Sequence, residues 1–183
     1  MFATTSRRSN TPSLGRSLGR SSVLSLGSQG EAVKVLQHAL TMKFHPAIDL
    51  VEDGHFGPQT LAAVKYMQCV VGLSMDGVVG DRTQAFLEWG VDALPVLSLG
   101  STGPAVVVVQ QVLNQEGSMP GSPLKGRELV LDGLYRQQTQ QAVKIFQRRF
   151  NLLPDGIVGA KTWGHIMPLR LMAPTCSALL ETV

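Results

Sequence analysis

Long apolar runs are missing from this 183-residue chain. None approaches the ~18 residues that a membrane helix needs, so no membrane span is expected. Aromatic residues make up only 5% and charged residues 16%, yet 44% of the chain is apolar, enough for a packed core. Cysteine is scarce. Cys69 and Cys176 lie far apart, outside any CxxC or His/Cys cluster, which excludes a disulfide scaffold and a structural metal site; free thiols are the expectation. The histidines His38, His45, His55 and His165 lack the spacing of a zinc hydrolase. No metal and no cofactor is expected.

Acidic residues are absent before Glu31, while Arg7, Arg8, Arg16 and Arg20 stand there. Beyond that point acids and bases nearly balance, so the sequence pI of about 9.1 belongs to the leader. A nucleic-acid reader carries its basic stripe on folded elements; no nucleic-acid partner is expected. Residues 1–22 are rich in Ser, Thr, Gly and Arg, with Ser-Leu-Gly-Arg written twice. Too few apolar groups are present to offset the ordering entropy, which predicts a disordered basic leader. No apolar run follows Arg7-Arg8, so no secretory signal is legible, and the composition is shared with organellar transit peptides. A cytoplasmic or organellar location therefore stays open.

An internal repeat organises the rest. Leu24–Leu40 (LSLGSQGEAVKVLQHAL) and Leu97–Leu113 (LSLGSTGPAVVVVQQVL) agree at most positions. Asp53–Thr60 matches Asp132–Thr139, and Asp76–Thr83 matches Asp155–Thr162. Copy two is longer only before its first Asp-Gly, in the Gly/Pro/Ser-rich stretch Gly117–Gly126, which predicts a surface loop.

Each copy reads as three helices. Ser28 and Glu31 have capping-box spacing for the first helix of copy one, and Pro104 suits the first turn of its counterpart. Val33, Leu36 and Leu40, like Val106, Val109 and Leu113, fall on one helical face. Val64, Met67 and Val71, matched by Val143, Phe146 and Phe150, form the second stripe. The third helices are short, the last one ending before Pro168. The four Asp-Gly pairs predict turns in which Asp binds its own backbone and Gly takes positive φ. The predicted fold is all-α, with two tandem three-helix bundles that have separate cores. The organisation is leader 1–22, module one 23–90, linker 91–96, module two 97–168 and tail 169–183.

The order L-x-x-G-S-x-G-x-x-V-x-x-L-Q-x-x-L, D-G-x-F-G-x-x-T-x-x-A-V-x-x-x-Q, G-L-x-x-D-G-x-V-G-x-x-T resembles the peptidoglycan-binding domain found beside bacterial wall hydrolases. Copy one carries it through Gly27, Gln37, Asp53, Phe56, Gly57, Gln68, Gly72, Asp76 and Thr83. Copy two departs at Val109, Tyr135, Arg136 and Asn151 and gains Thr162-Trp163. The missing glycine at Arg136 sets the entry to its second helix, and its binding competence, apart from copy one. The resemblance implies a three-helix bundle that recognises peptidoglycan, often through the stem peptide, and a cell-envelope location.

The candidate peptidoglycan-binding residues are Phe56, Tyr66, Gln68, Tyr135, Gln147 and Trp163. The structural readings are weighed beside this role: Phe56, Tyr135 and Trp163 as core plugs, the glutamines as buried amides serving loop backbone. Asp53 and Asp76 as a general acid–base pair yield to their turn role, and no catalytic residue is assigned. The leading reading is a non-catalytic, two-site wall-binding protein whose partners are peptidoglycan and a wall hydrolase. The alternative is a protein–protein docking module. A related fold forms the pro-segment of matrix metalloproteases, but its Pro-Arg-Cys-Gly is Pro174-Thr175-Cys176-Ser177 here, so an inhibitory cysteine is not expected.

Overall fold

In a computed structural model, residues 23–171, Cys176 and Leu180 are described; the expectations for the leader, and for most of the tail, lie outside them. Among the described residues six helices follow one another: α1 (Glu31–Phe44), α2 (Pro58–Val71), α3 (Asp81–Trp89), α4 (Pro104–Ser118), α5 (Gln137–Arg149) and α6 (Ala160–Leu171). A short 3-10 turn, Gly90–Ala93, joins the copies. Among the described residues β structure is limited to isolated bridges, which recur in register: Leu24 with Val79 and Leu97 with Val158, Gln29 with His55 and Thr102 with Leu134.

The predicted stripes are buried, including Val33, Leu36, Leu40, Val64, Met67 and Val71 in copy one. The capping box does not form. Gly30 is the N-cap of α1 without a side-chain cap, and the Ser28 hydroxyl instead accepts from the Ser25 N–H at 3.1 Å. Ser101 and Ser98 repeat this at 3.0 Å, so the serine holds the turn ahead of the helix. Arg136 does no harm to the entry of α5. It takes φ −95° and ψ 179°, close to the φ −87° and ψ −173° of Gly57, and a Cβ on Gly57 would meet nothing within 4 Å. That glycine is not required there. Helix α6 runs through Pro168 to Leu171 rather than stopping before it. The Gly117–Gly126 stretch is partly interior, because Leu124 and Ser122 are buried.

Separate cores are not what the chain builds. The buried apolar residues of both copies form one continuous cluster. Helix α2 of copy one packs on α4 and α6 of copy two. Helix α4 can face both ways because Ala105, Val108 and Val112 are buried along with the predicted Val106, Val109 and Leu113. A close approach is at Gly72. Its φ of +73° ends α2 in the left-handed region, and a Cβ there would stand 2.7 Å from the Ala105 Cα. Asn151 holds the matching position in copy two at φ 55°, a conformation asparagine tolerates.

The cysteines are not free. Cys69 on α2 and Cys176 after α6 form a disulfide, with Cα atoms 6.0 Å apart. The Arg170 guanidinium is buried beside it and donates to Cys176 Sγ at 3.1 Å. Burial holds the Arg170 pKa below its ordinary value. The copies are thus fastened both by packing and by a covalent bond.

Candidate binding site

One arrangement occurs four times. A buried glutamine on a helix grips the Asp-Gly turn that leads into the next helix. Gln37 Nε2 donates to Asp53 Oδ1 at 2.8 Å and its Oε1 accepts the Gly54 N–H at 3.0 Å. Gln68 does the same with Asp76 at 2.8 Å and Gly77 at 2.9 Å. Gln110 binds Asp132 and Gly133, both at 3.0 Å. Gln147 binds Asp155 at 2.8 Å and Gly156 at 2.9 Å. Each aspartate also accepts the N–H two residues on, at His55, Val78, Leu134 and Ile157. The turn glycines have φ between 68° and 76°, so the sequence expectation for the Asp-Gly pairs holds. A primary amide is suited to this place because it offers donors and an acceptor at once, and each buried partner left unmet costs about 1–3 kcal/mol.

At Asp53, Asp76 and Asp132 these bonds favour the charged carboxylate. Asp132 is drawn down to about 2, first by the Gln110 amide, then by the Leu134 N–H, with Arg136 adding its charge and an ion pair. Asp53 is lowered chiefly by Gln37, and Asp76 chiefly by the Val78 N–H. A depressed native pKa stabilises the fold fully above the unfolded value of about 3.9 and loses that contribution as pH falls through the native value. Stability should therefore fall between about pH 4 and pH 2. Asp132→Asn should be the less stable protein at pH 7, and its deficit should shrink toward pH 2. Urea unfolding at both pH values checks this.

The structure places all six sequence-predicted site residues inside the molecule. Trp163 is 0% exposed, Tyr135 1%, Phe56 2%, Tyr66 5%, and Gln68 and Gln147 1% each. The core and clasp readings of Phe56, Tyr135, Trp163 and the glutamines describe what these side chains do here. Trp163 Nε1 donates to the Pro95 carbonyl at 2.8 Å, and Tyr135 Oη donates to the Gly156 carbonyl at 2.9 Å. Burial pushes the Tyr135 phenol well above its ordinary value and raises Tyr66 as well. Tyr66 packs edge-on to Phe44 at 6.1 Å. The faces of these side chains are turned into the core.

Of the six, Gln68 borders open space. It lies at a groove of about 680 Å³ between the copies. One wall is Leu73, Ser74 and Val78 of copy one, with Arg82 at the start of α3; the other includes Pro95, Val96, Ser101 and Thr102. The lining mixes hydroxyls, carboxylates, one guanidinium and apolar groups and contains no aromatic ring. Nothing in either copy alone signals this groove, because it exists only where they meet. The Ala105–Val109 run (AVVVV), which gives the start of α4 more than one apolar face, is the trace that the contact between the copies leaves in the sequence.

The same sequence pattern marks a known family. A family described as "Putative peptidoglycan binding domain" matches residues 29–87 and again 102–166. The chain belongs to the peptidoglycan-binding domain family. Among curated proteins it is similar to the N-acetylmuramoyl-L-alanine amidase CwlL of Bacillus licheniformis, with 28% identity over 180 residues, covering 88% of this chain and 49% of the amidase. It also resembles the zinc D-Ala-D-Ala carboxypeptidase of Streptomyces albus G, with 44% identity over 63 residues, or 34% of this chain and 25% of that protein. The chain spans about half the length of the two amidases it matches. Among solved structures, the SleB N-terminal domain is 29% identical, covering 42% of this chain and 93% of that one at a TM-score of 0.34. The tandem all-helical fold expected from the repeat is the fold of this peptidoglycan-binding-domain chain.

Proposed function

We propose that this chain is a non-catalytic wall-binding protein that holds peptidoglycan through its stem peptide and works in the cell envelope. The observation that carries the reading is the family pattern written twice, over residues 29–87 and 102–166. The lining of the inter-copy groove supports peptide over glycan, since sugar faces stack on exposed aromatic rings and the groove has none. The Cys69–Cys176 bond supports the envelope, because such bonds persist in oxidising compartments. Phe56, Tyr66, Gln68, Tyr135, Gln147 and Trp163 serve binding by holding the turns and walls in place. A wall hydrolase is a fitting protein partner, given the amidase and carboxypeptidase names of the relatives.

Co-sedimentation with purified peptidoglycan sacculi tests this. The full chain should pellet with sacculi and should still do so at 0.5 M salt, where the Debye length is well below ~10 Å. Failure to pellet at any salt would leave the docking-module alternative. Loss only at high salt would assign the contact to exposed charges, the arginines before Glu31 among them.

A further inference from the structure

The geometry points to the inter-copy groove as one composite site for a short zwitterionic peptide segment, a stretch of stem peptide bearing both an ammonium and a carboxylate. This rests on the wall-binding reading and adds to it the place and the chemistry of contact.

Four observations carry it. The groove needs both copies: residues between Leu73 and Arg82 line it from copy one, and Pro95–Leu97 with Ser101, Thr102, Pro104 and Ala105 line it from the connection and copy two. Its volume of about 680 Å³ falls in the range of ligand sites, roughly 300–1,000 Å³. Its charges are of both signs and close in sequence, with Asp76 and Asp81 beside Arg82. Carboxylates suit a ligand ammonium, and a guanidinium suits a ligand carboxylate, in one or two charge-assisted bonds. Between them Ser74, Ser101 and Thr102 offer hydroxyls at peptide groups, while Leu73, Val78, Pro95 and Val96 offer apolar surface for short side chains.

The matching wall of copy two differs in chemistry. There Leu153 stands in place of Ser74 and Ile157 in place of Val78; they are 77% and 40% exposed. The hydroxyl is replaced by an apolar side chain, and Lys161 takes the place of Arg82. The narrow contact of Gly72 with Ala105 sets the spacing of the groove's two sides. Copy one and copy two are therefore not two equal binding units on a linker; the pair makes one site at the seam.

The test uses the full chain and a synthetic stem tetrapeptide containing a diamino acid, followed by isothermal titration calorimetry and amide shift mapping. Shifts should cluster at Leu73–Arg82 and Pro95–Ala105. Ser74→Trp, at an exposed position, should fill the groove, and Arg82→Glu should reverse its one guanidinium charge. Each should weaken tetrapeptide binding by about tenfold or more, the loss of one charge-assisted hydrogen bond or of shape fit. Unchanged melting of both variants keeps folding out of the result; if Ser74→Trp melts lower, Ser74→Gln and Arg82→Ala replace the pair. Wild-type affinity in both variants, or shifts confined elsewhere, overturns the groove while sacculus binding by the parent keeps the wall-binding reading. A parent that pellets with sacculi yet ignores the tetrapeptide also overturns it. A parent that binds neither removes both.

Discussion

Replacing Cys69 and Cys176 by serine should lower the melting temperature by about 5–15 °C. The bond closes a sequence separation of 107 residues, and a loop of that order restricts the unfolded chain by up to about 4–5 kcal/mol, with about 2–4 kcal/mol typical of measured cases. The direction has a second source. Arg170 is 4% exposed and donates to the Cys176 sulfur, so opening the bond disturbs a buried cation whose charge was already costly to place. Calorimetry of the double variant, and of the parent with and without a reductant, gives the shift. Thiol titration of the unfolded, unreduced parent should find no free thiol. Two free thiols and identical melting would show that the bond is not made.

Leu36→Ala and Trp163→Ala should each lower one shared unfolding transition. Both side chains are fully buried, and truncations of this kind cost about 2–5 kcal/mol for leucine and about 3–5 kcal/mol for tryptophan. Trp163 also anchors the connection between copies through the Pro95 carbonyl, so its loss is felt on both sides of the seam. Because α2 of copy one packs on α4 and α6 of copy two within one apolar cluster, damage in either copy should destabilise the whole. Two resolved transitions, with only one of them moved by each variant, would show that the copies fold apart.

The repeat and its periodicity made most of the fold legible in advance. Val33, Leu36 and Leu40 could be placed on one face because only helical spacing brings them together, and the Asp-Gly turns announced themselves through residue chemistry. The glutamines were readable as recurring amides, and their structural role follows from burial. What could not be read is what depends on contact between copies. A pairing of cysteines separated by 107 residues leaves no spacing motif. The groove has no motif either, since Ser74, Arg82 and Thr102 are unremarkable polar residues until packing sets them opposite each other. The aromatic and amide candidates were chosen for residue type, and type does not reveal direction: Phe56 and Tyr135 point into cores for the same reason that they attract notice, their size.

The four glutamine grips make the spacing of helices independent of the chain between them. Copy two has the longer connection at Gly117–Gly126, yet Gln110 meets Asp132 at 3.0 Å where Gln37 meets Asp53 at 2.8 Å. Extra length between two fixed ends adds little, since doubling a loop costs only about 0.6 kcal/mol in closure entropy. Drift in loop length can therefore accumulate there over evolutionary time while the helices keep their seats. The exposed pair Pro120 and Gly121, between α4 and the buried Leu124, is accordingly a natural point at which to splice a foreign peptide or label into this scaffold.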